Sequence, residues 1–253
     1  VSAADAARAW LRTLGILARR EFGAYFAAPI AGVFLVVFLA LSAAMTFHLG
    51  GFFARGQADL QPFFAFHPWL FLVFVPALGM RMWAEERRQG TFELLMTLPV
   101  TTGQAVVAKF LAAWAFCGLA LALTLPMWIT VNVLGEPDNG VVALGYAASL
   151  LVAGGFLAIS GCVSALTRNQ VIAFVASAGV CFLLLTPGLD AVEALLRGTV
   201  PQAALDLLGT LGAGAHHGQM VRGVLDLRAL VFFGSLIGFC LVANAAIVDL
   251  KKR

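Results

Sequence analysis

Six long apolar runs separated by shorter polar ones lay out the plan of the chain: Pro29 to Leu49, Phe63 to Trp83, Ala105 to Leu134, Val142 to Leu166, Val171 to Leu189 and Leu230 to Leu250. Each holds about 20 residues or more, the length at which a helix crosses a hydrocarbon core of about 30 Å while satisfying its own backbone. Pro29 stands at a helix start, where a missing N–H costs nothing. Pro76 and Pro126 fall within runs and predict kinks, and Pro187 helps to end the fifth run. Ahead of the first run, Arg8, Arg12, Arg19, Arg20 and Glu21 are mixed with Trp10, Leu11, Leu14, Ile16, Leu17, Phe22 and Phe26. That pattern predicts an amphipathic helix within residues 1–28 that lies in the membrane interface, its basic face toward lipid headgroups. The first run is too long and too uninterrupted for the apolar core of a signal peptide.

The connections differ in size. A few residues around Thr167, Arg168 and Asn169 join the fourth and fifth runs, which predicts a tight antiparallel hairpin. The segment 190–228 is too long for a plain turn, and its DAVEALLRG and PQAALDLLGTL stretches carry apolar residues at helical spacing before a Gly-rich AGAHHG loop. Short helices that dip into or lie on the outer leaflet are expected there.

Composition then narrows the class. Of 253 residues 61% are apolar and 11% charged, against roughly 25% charged in an average soluble domain. This excludes an ordinary water-soluble fold and a nucleic-acid-binding one. With the N-terminus inside, 12 Lys and Arg fall on inside segments and only Arg55, Arg197, Arg222 and Arg228 outside, a positive-inside bias that places both termini in the cytoplasm. Residues 251–253 form a basic cytoplasmic tail. Cys117, Cys162, Cys181 and Cys240 all lie in apolar runs and read as small packing residues.

The loop RMWAEERRQGTFELLMTLPVTTGQAVVAKF between the second and third runs carries the most information. Glu85, Glu86, Arg87 and Arg88 stop the second span at the interface, because a charge at a helix centre costs roughly 2.5–3.5 kcal/mol on insertion scales. Gly90 breaks the helix, Thr91 suits an N-cap, and Glu93 falls where the dipole of a new helix favours a carboxylate. Phe92, Leu94, Leu95 and Leu98 give that short helix, 91–98, an apolar face before Pro99 ends it. It reads either as an interfacial anchor or as a knob that docks on a soluble partner.

The run EERRQGTFELLMTLPVT resembles the segment that follows the second span in permease subunits of ABC-2 type ABC transporters. REFGAYFAAPIAG, LQPFFAFHPWLFLVFVPALGMRMWAEE and SALTRNQVIAF extend the likeness, which is to the gliding-motility-type branch, over nearly the whole chain. The resemblance implies an all-α, polytopic fold like that of type V ABC exporters: six transmembrane helices over 29–250, an N-terminal interfacial helix around Arg19, Arg20, Glu21 and Phe22, and a cytoplasmic coupling helix at 91–98. It implies that Glu85, Glu86, Arg87, Arg88, Gly90, Thr91, Phe92, Glu93, Leu94 and Leu95 contact an ATPase subunit.

Two ATP-binding subunits, a second permease that is often a copy of the first, and an auxiliary membrane-anchored subunit with a large outer domain are the implied partners. The implied home is the bacterial plasma membrane, and the cargo of an apolar pathway would be lipidic or amphipathic. No G-x-x-x-x-G-K-(S/T) phosphate loop occurs, so ATP and Mg would sit in the partner subunit and this chain would bind no cofactor and act as no enzyme.

Other constellations carry less. The AISG stretch at 158–161 lacks the first glycine of an intramembrane serine protease motif, and no histidine lies in the fifth or sixth run to serve as its base, so helix packing explains it better. Gly234 and Gly238 form a G-x-x-x-G pair that suits close helix approach, within the chain rather than in a dimer. The adjacent His216 and His217 diverge and, with His48 and His67, make no metal site. Arg81 and Lys109 sit near span ends, from which they can snorkel to the interface. A self-contained secondary transporter or channel would call for charges at mid-span that are scarce here; a complex that transmits force and moves no substrate is the other alternative.

Overall fold

The computed structural model describes residues 3–27, 29–92, 100–187, 192, 194, 201 and 209–252. All regular elements among them are helical: α1 (Ala3–Ala27), α2 (Pro29–Ala44) running into a π-helical turn (Met45–Leu49), α3 (Phe52–Arg55), α4 (Gln61–Gly79), α5 (Arg81–Gln89), α6 (Thr102–Ala122), α7 (Leu125–Leu134), α8 (Asn139–Leu166), α9 (Gln170–Leu185), α10 (Ala213–Val221) and α11 (Leu227–Leu250).

Among the described residues five helical stretches are long and apolar enough to cross a membrane: 31–55, 61–89, 102–134, 139–166 and 227–250. The run expected to form the fifth of six spans is α9, whose 16 residues make a rod of about 24 Å, short of a hydrocarbon core of roughly 30 Å. The even number of crossings that would put both termini on one side therefore rests on α9.

α8 is the central post, packed against α4, α6, α9, α10 and α11. Its glycines let that many neighbours come close. A Cβ at Gly145 would strike the Phe64 ring of α4, one at Gly154 the Trp114 indole of α6, and one at Gly155 the Leu236 side chain of α11. Between these contacts Val152, Ala153, Phe156 and Leu157 form the middle of the main core. Asp138 caps the start of α8 by accepting from the Gly140 and Val141 N–H groups, and Asn169 caps α9 in the same way, so Thr167–Asn169 turn the chain as a tight hairpin.

α1 packs lengthwise on α6. Its contacts advance in step along α6, with the Trp10 carbonyl near Gln104, Leu14 and Leu17 clustered with Ala108, and the Tyr25 ring stacked on Phe116 at 5.3 Å. Its exposed side carries Leu11 and Ile16, about 60% exposed, between the arginines. The kink expected at Pro126 takes the form of a break within the stretch 102–134: α6 ends at Ala122 and α7 starts at Leu125, where Pro126 occupies the first turn and Thr124 bonds back to the Leu121 carbonyl. AGAHHG is not a loop but the first part of α10, because the burial of His216, His217, Met220 and Val221 on one face outweighs the roughly 1 kcal/mol that each glycine costs a helix.

Gly234 and Gly238 have nothing within 4 Å of an added Cβ, so they pack on no other helix among the described residues. Ser160, by contrast, is fully buried, donates to the Phe156 carbonyl and fills the space left by Gly79, as the packing explanation of AISG requires. Most of the DAVEALLRG and PQAALDLLGTL stretches lies outside the described residues.

Candidate functional site

The charged stretch from Arg81 to Phe92 sits at the end of the bundle where α5, α6, α8 and α11 have their polar termini, and its placement starts from one serine. Ser164 of α8 donates to the Met80 carbonyl at 2.9 Å and accepts from the Trp83 and Ala84 N–H groups at 3.1 Å each. A side chain thus enters the backbone ladder where α4 passes into α5, the kind of insertion that turns a helix. Gly79 lies against Ser160 one turn earlier on α8, so the start of α5 is held at two successive levels.

From that fixed start, helical spacing sends neighbouring charges to different partners. Glu85 pairs with Arg81 at 2.5 Å and accepts from Gln89 at 3.2 Å, a local i,i+4 arrangement along α5. Glu86 points the other way and reaches Lys109 of α6 at 2.5 Å, and the same ammonium holds Glu21 of α1 at 2.9 Å. Lys109 is only 6% exposed and lies 5.4 Å from the centre of the Trp83 ring. One buried cation therefore joins three helices that are distant in sequence. Lys109 does not snorkel as expected, since two carboxylates hold it inside the protein, whereas Arg81 stays partly exposed beside Glu85.

Arg87 turns toward α8, donating to the Ala165 carbonyl at 2.6 Å and covering the Phe92 ring at 4.8 Å. Lys251, just past α11, donates to the Ala165 and Leu166 carbonyls. Two cations thus satisfy the orphan carbonyls at the C-terminus of α8, where the helix dipole favours positive charge. Burial, aided by Arg87 and Arg168, holds the Lys251 pKa below the usual lysine range. Thr102 closes the ring: it donates to Asp249 and accepts from Lys252, tying the start of α6 to the end of α11.

The predicted contact set therefore divides. Glu86, Arg87 and Phe92 turn toward the bundle while Glu85 stays paired along α5, and Phe92 meets the Trp83 ring edge-on at 6.1 Å. Arg88, Gly90 and Thr91 are exposed. Gly90 ends α5 in the left-handed region, at φ +73°, as its place after the charged run implied. Thr91 departs from the expected N-cap role: it is already helical, and its hydroxyl donates back to the Glu86 carbonyl at 3.4 Å. Glu93, Leu94 and Leu95, with the remainder of the expected coupling helix to Leu98, lie outside the described residues. On α1, Arg19 and Arg20 are exposed while Glu21 and Phe22 turn toward the bundle.

Sequence reasoning named Glu86, Glu21 and Lys109 but not the bridge that joins them, and it passed over Ser164. The one signal for Ser164 was its place in the polar SALTRN junction, opposite a helix that changes from apolar to charged at Met80–Arg81. No group of three or more metal-ligating side chains occurs among the described residues. No curated protein matches the chain. A family model described as ABC-2 family transporter protein matches residues 63–211, more than half of the chain, taking in α4 to α9 and the whole charged stretch but neither α1 nor α11.

Proposed function

The chain belongs to the ABC-2 family of transporter proteins, multi-pass membrane components that are not themselves ATPases and generally work with ATP-binding subunits; from that premise we propose that it is the permease subunit of an ATP-driven exporter or extruder. The observation that carries this reading is the Glu21–Lys109–Glu86 bridge. It ties the exposed tip at Arg88, Gly90 and Thr91 to the two helices behind it, so a push on the tip is delivered to α1 and α6 rather than absorbed by a loose loop.

In this reading the ATP-binding subunit docks on the tip and on the segment with Glu93, Leu94 and Leu95, while Glu85, Glu86, Arg87 and Phe92 brace it from within. ATP and Mg belong to that partner. Two such subunits serve a pair of permeases, most simply two copies of this chain, in a bacterial plasma membrane with the charged end and both termini in the cytoplasm. The gliding-motility-type branch adds an auxiliary membrane-anchored subunit with a large outer domain. The cargo that suits apolar helix surfaces is lipidic or amphipathic.

Co-expression with an ATP-binding subunit encoded beside the gene, followed by purification and vesicle transport, tests the reading. The two chains are expected to purify together; Arg88→Glu combined with Thr91→Trp is expected to abolish capture, whereas Glu86→Gln retains capture and uncouples ATP hydrolysis from transport. Failure of any ATP-binding subunit to associate, or full coupling in Glu86→Gln, would overturn it.

A further inference from the structure

An open groove of about 460 Å³ runs between α1 and α6, with Arg19 and Phe22 on one wall, Leu111, Trp114 and Gly118 on the other, and Leu150 of α8 at its base. Its size falls in the range of small-molecule sites. α1 and α6 run in the same direction, Leu17 beside Ala108 and Tyr25 beside Phe116, so Arg19 stands level with the Leu111 end. From Leu111 the groove extends seven residues to Gly118, about 10 Å along the helix. The single polar atom of Trp114 is already used, its indole N–H donating to the Leu150 carbonyl at 2.8 Å. What remains is an apolar trough with a cation at one end.

That cation has no partner of its own. Arg20 reaches Glu21 at 3.9 Å, and Glu21 in turn is held by Lys109, but Arg19 is exposed and makes no ion pair among the described residues. Arg12, two helical turns earlier on the same face, is exposed as well.

We propose that this groove seats one acyl chain of an anionic glycerophospholipid whose phosphate is held by Arg19, with Arg12 adding to the attraction. The chemistry favours lipid because one molecule meets both features of the groove: its phosphodiester supplies the charge for Arg19 and its own tail fills the apolar trough. The site is independent of the cargo. It would hold α1 against α6 next to the Lys109 bridge whether or not the complex moves lipid.

The test uses the full chain in phosphatidylcholine vesicles that carry a minor fraction of bromine-labelled lipid, bromine on the acyl chain quenching nearby indoles. The fluorescence that Trp114→Phe removes reports the groove. At equal mole fraction, brominated phosphatidylglycerol is expected to quench that component about fivefold more effectively than brominated phosphatidylcholine, the factor that one basic side chain supplies near an anionic headgroup. Arg19→Gln is expected to bring the two lipids to parity, and Gly118→Leu to reduce quenching by both. Mass spectrometry of lipid retained by the wild-type protein through detergent purification reads the same preference without the tryptophan variant. Equal quenching by both lipids in the wild type would overturn the proposal; no quenching by either would do the same, and would mean that protein covers the groove.

Discussion

The two ends of the bundle bury polar side chains by opposite means. At the charged end Lys109 sits between Glu21 and Glu86, and Arg87 and Lys251 cover the last carbonyls of α8. At the other end the buried groups are imidazoles with uncharged neighbours: His67 shares a 2.8 Å hydrogen bond with Ser149 and packs edge-on against Phe63 at 4.4 Å, and His216 meets the Thr210 carbonyl at 3.0 Å. Ion pairs weaken gradually with distance, so a charged junction survives small shifts of the helices it joins. A ring packed at van der Waals contact has no such latitude. The contrast suggests a protein hinged at its charged end and clamped at its histidine end, with α8 serving both through Ser164 and Ser149.

The strongest way to break that comparison is to remove the central cation. Lys109→Met leaves two carboxylates facing one another in a buried site, and the loss of one partner from a buried ionic group costs about 3–5 kcal/mol. Thermal unfolding in detergent should show a large drop, most of it regained when Glu21→Gln and Glu86→Gln are added. An unchanged midpoint in the single variant would mean that the cluster is solvated, and the contrast between the ends would vanish.

The opposite end predicts a pH response. Burial holds the His217 pKa down to about 4, so the folded protein keeps the imidazole neutral where an unfolded chain, near 6.5, would protonate it. A group with a lowered basic pKa contributes nothing above the unfolded value and becomes destabilising as pH falls through it. Stability should therefore be flat above about pH 6.5 and fall toward pH 4 by roughly 3 kcal/mol, since each tenfold difference in proton affinity between the folded and unfolded chain is worth about 1.4 kcal/mol. His217→Gln should make the profile shallower over that window, while the other imidazole buried at this end, His67, keeps its own share. A slope unchanged by the substitution would assign the titration to groups other than His217.

Much of this was legible from the chain because helices write their faces and ends into sequence. The apolar runs, the stop at Gly90, the tight hairpin at Thr167–Asn169 and the break near Pro126 all follow from local chemistry. What periodicity does not specify is which helices meet. Inside a membrane a lipid-facing surface and a buried one are equally apolar, so no hydrophobic stripe announced α6 as the neighbour of α1, or Lys109 as the partner of Glu21. The same ambiguity misplaced Gly234 and Gly238, which face open space on α11 although their spacing suits close packing. AGAHHG failed differently, because glycine content argues locally for a loop while burial against α8 decides for a helix. At the candidate site, the residue types pointed to the correct stretch, but the division between bracing side chains and an exposed tip depends on a turn fixed by Ser164, some 80 residues away.

That serine offers the finest comparison between the two ends. Ser164→Ala removes a hydroxyl that serves three backbone groups and leaves the buried Trp83 and Ala84 N–H groups short of an acceptor, a loss of about 1–3 kcal/mol. Ser149→Ala removes one hydrogen bond to His67, whose ring stays enclosed by Phe63, Phe64 and Phe71, so its cost should lie at the lower limit of that range. Amide exchange separates them further. Protection should fall locally at Trp83 and Ala84 in the first variant, because α5 loses its anchor while the ion pairs beyond it hold, and should stay unchanged along α4 in the second, because packing there does not depend on the hydroxyl. Equal exchange at both ends would show that α8 grips its neighbours uniformly, and the charged end would then be no more hinge-like than the other.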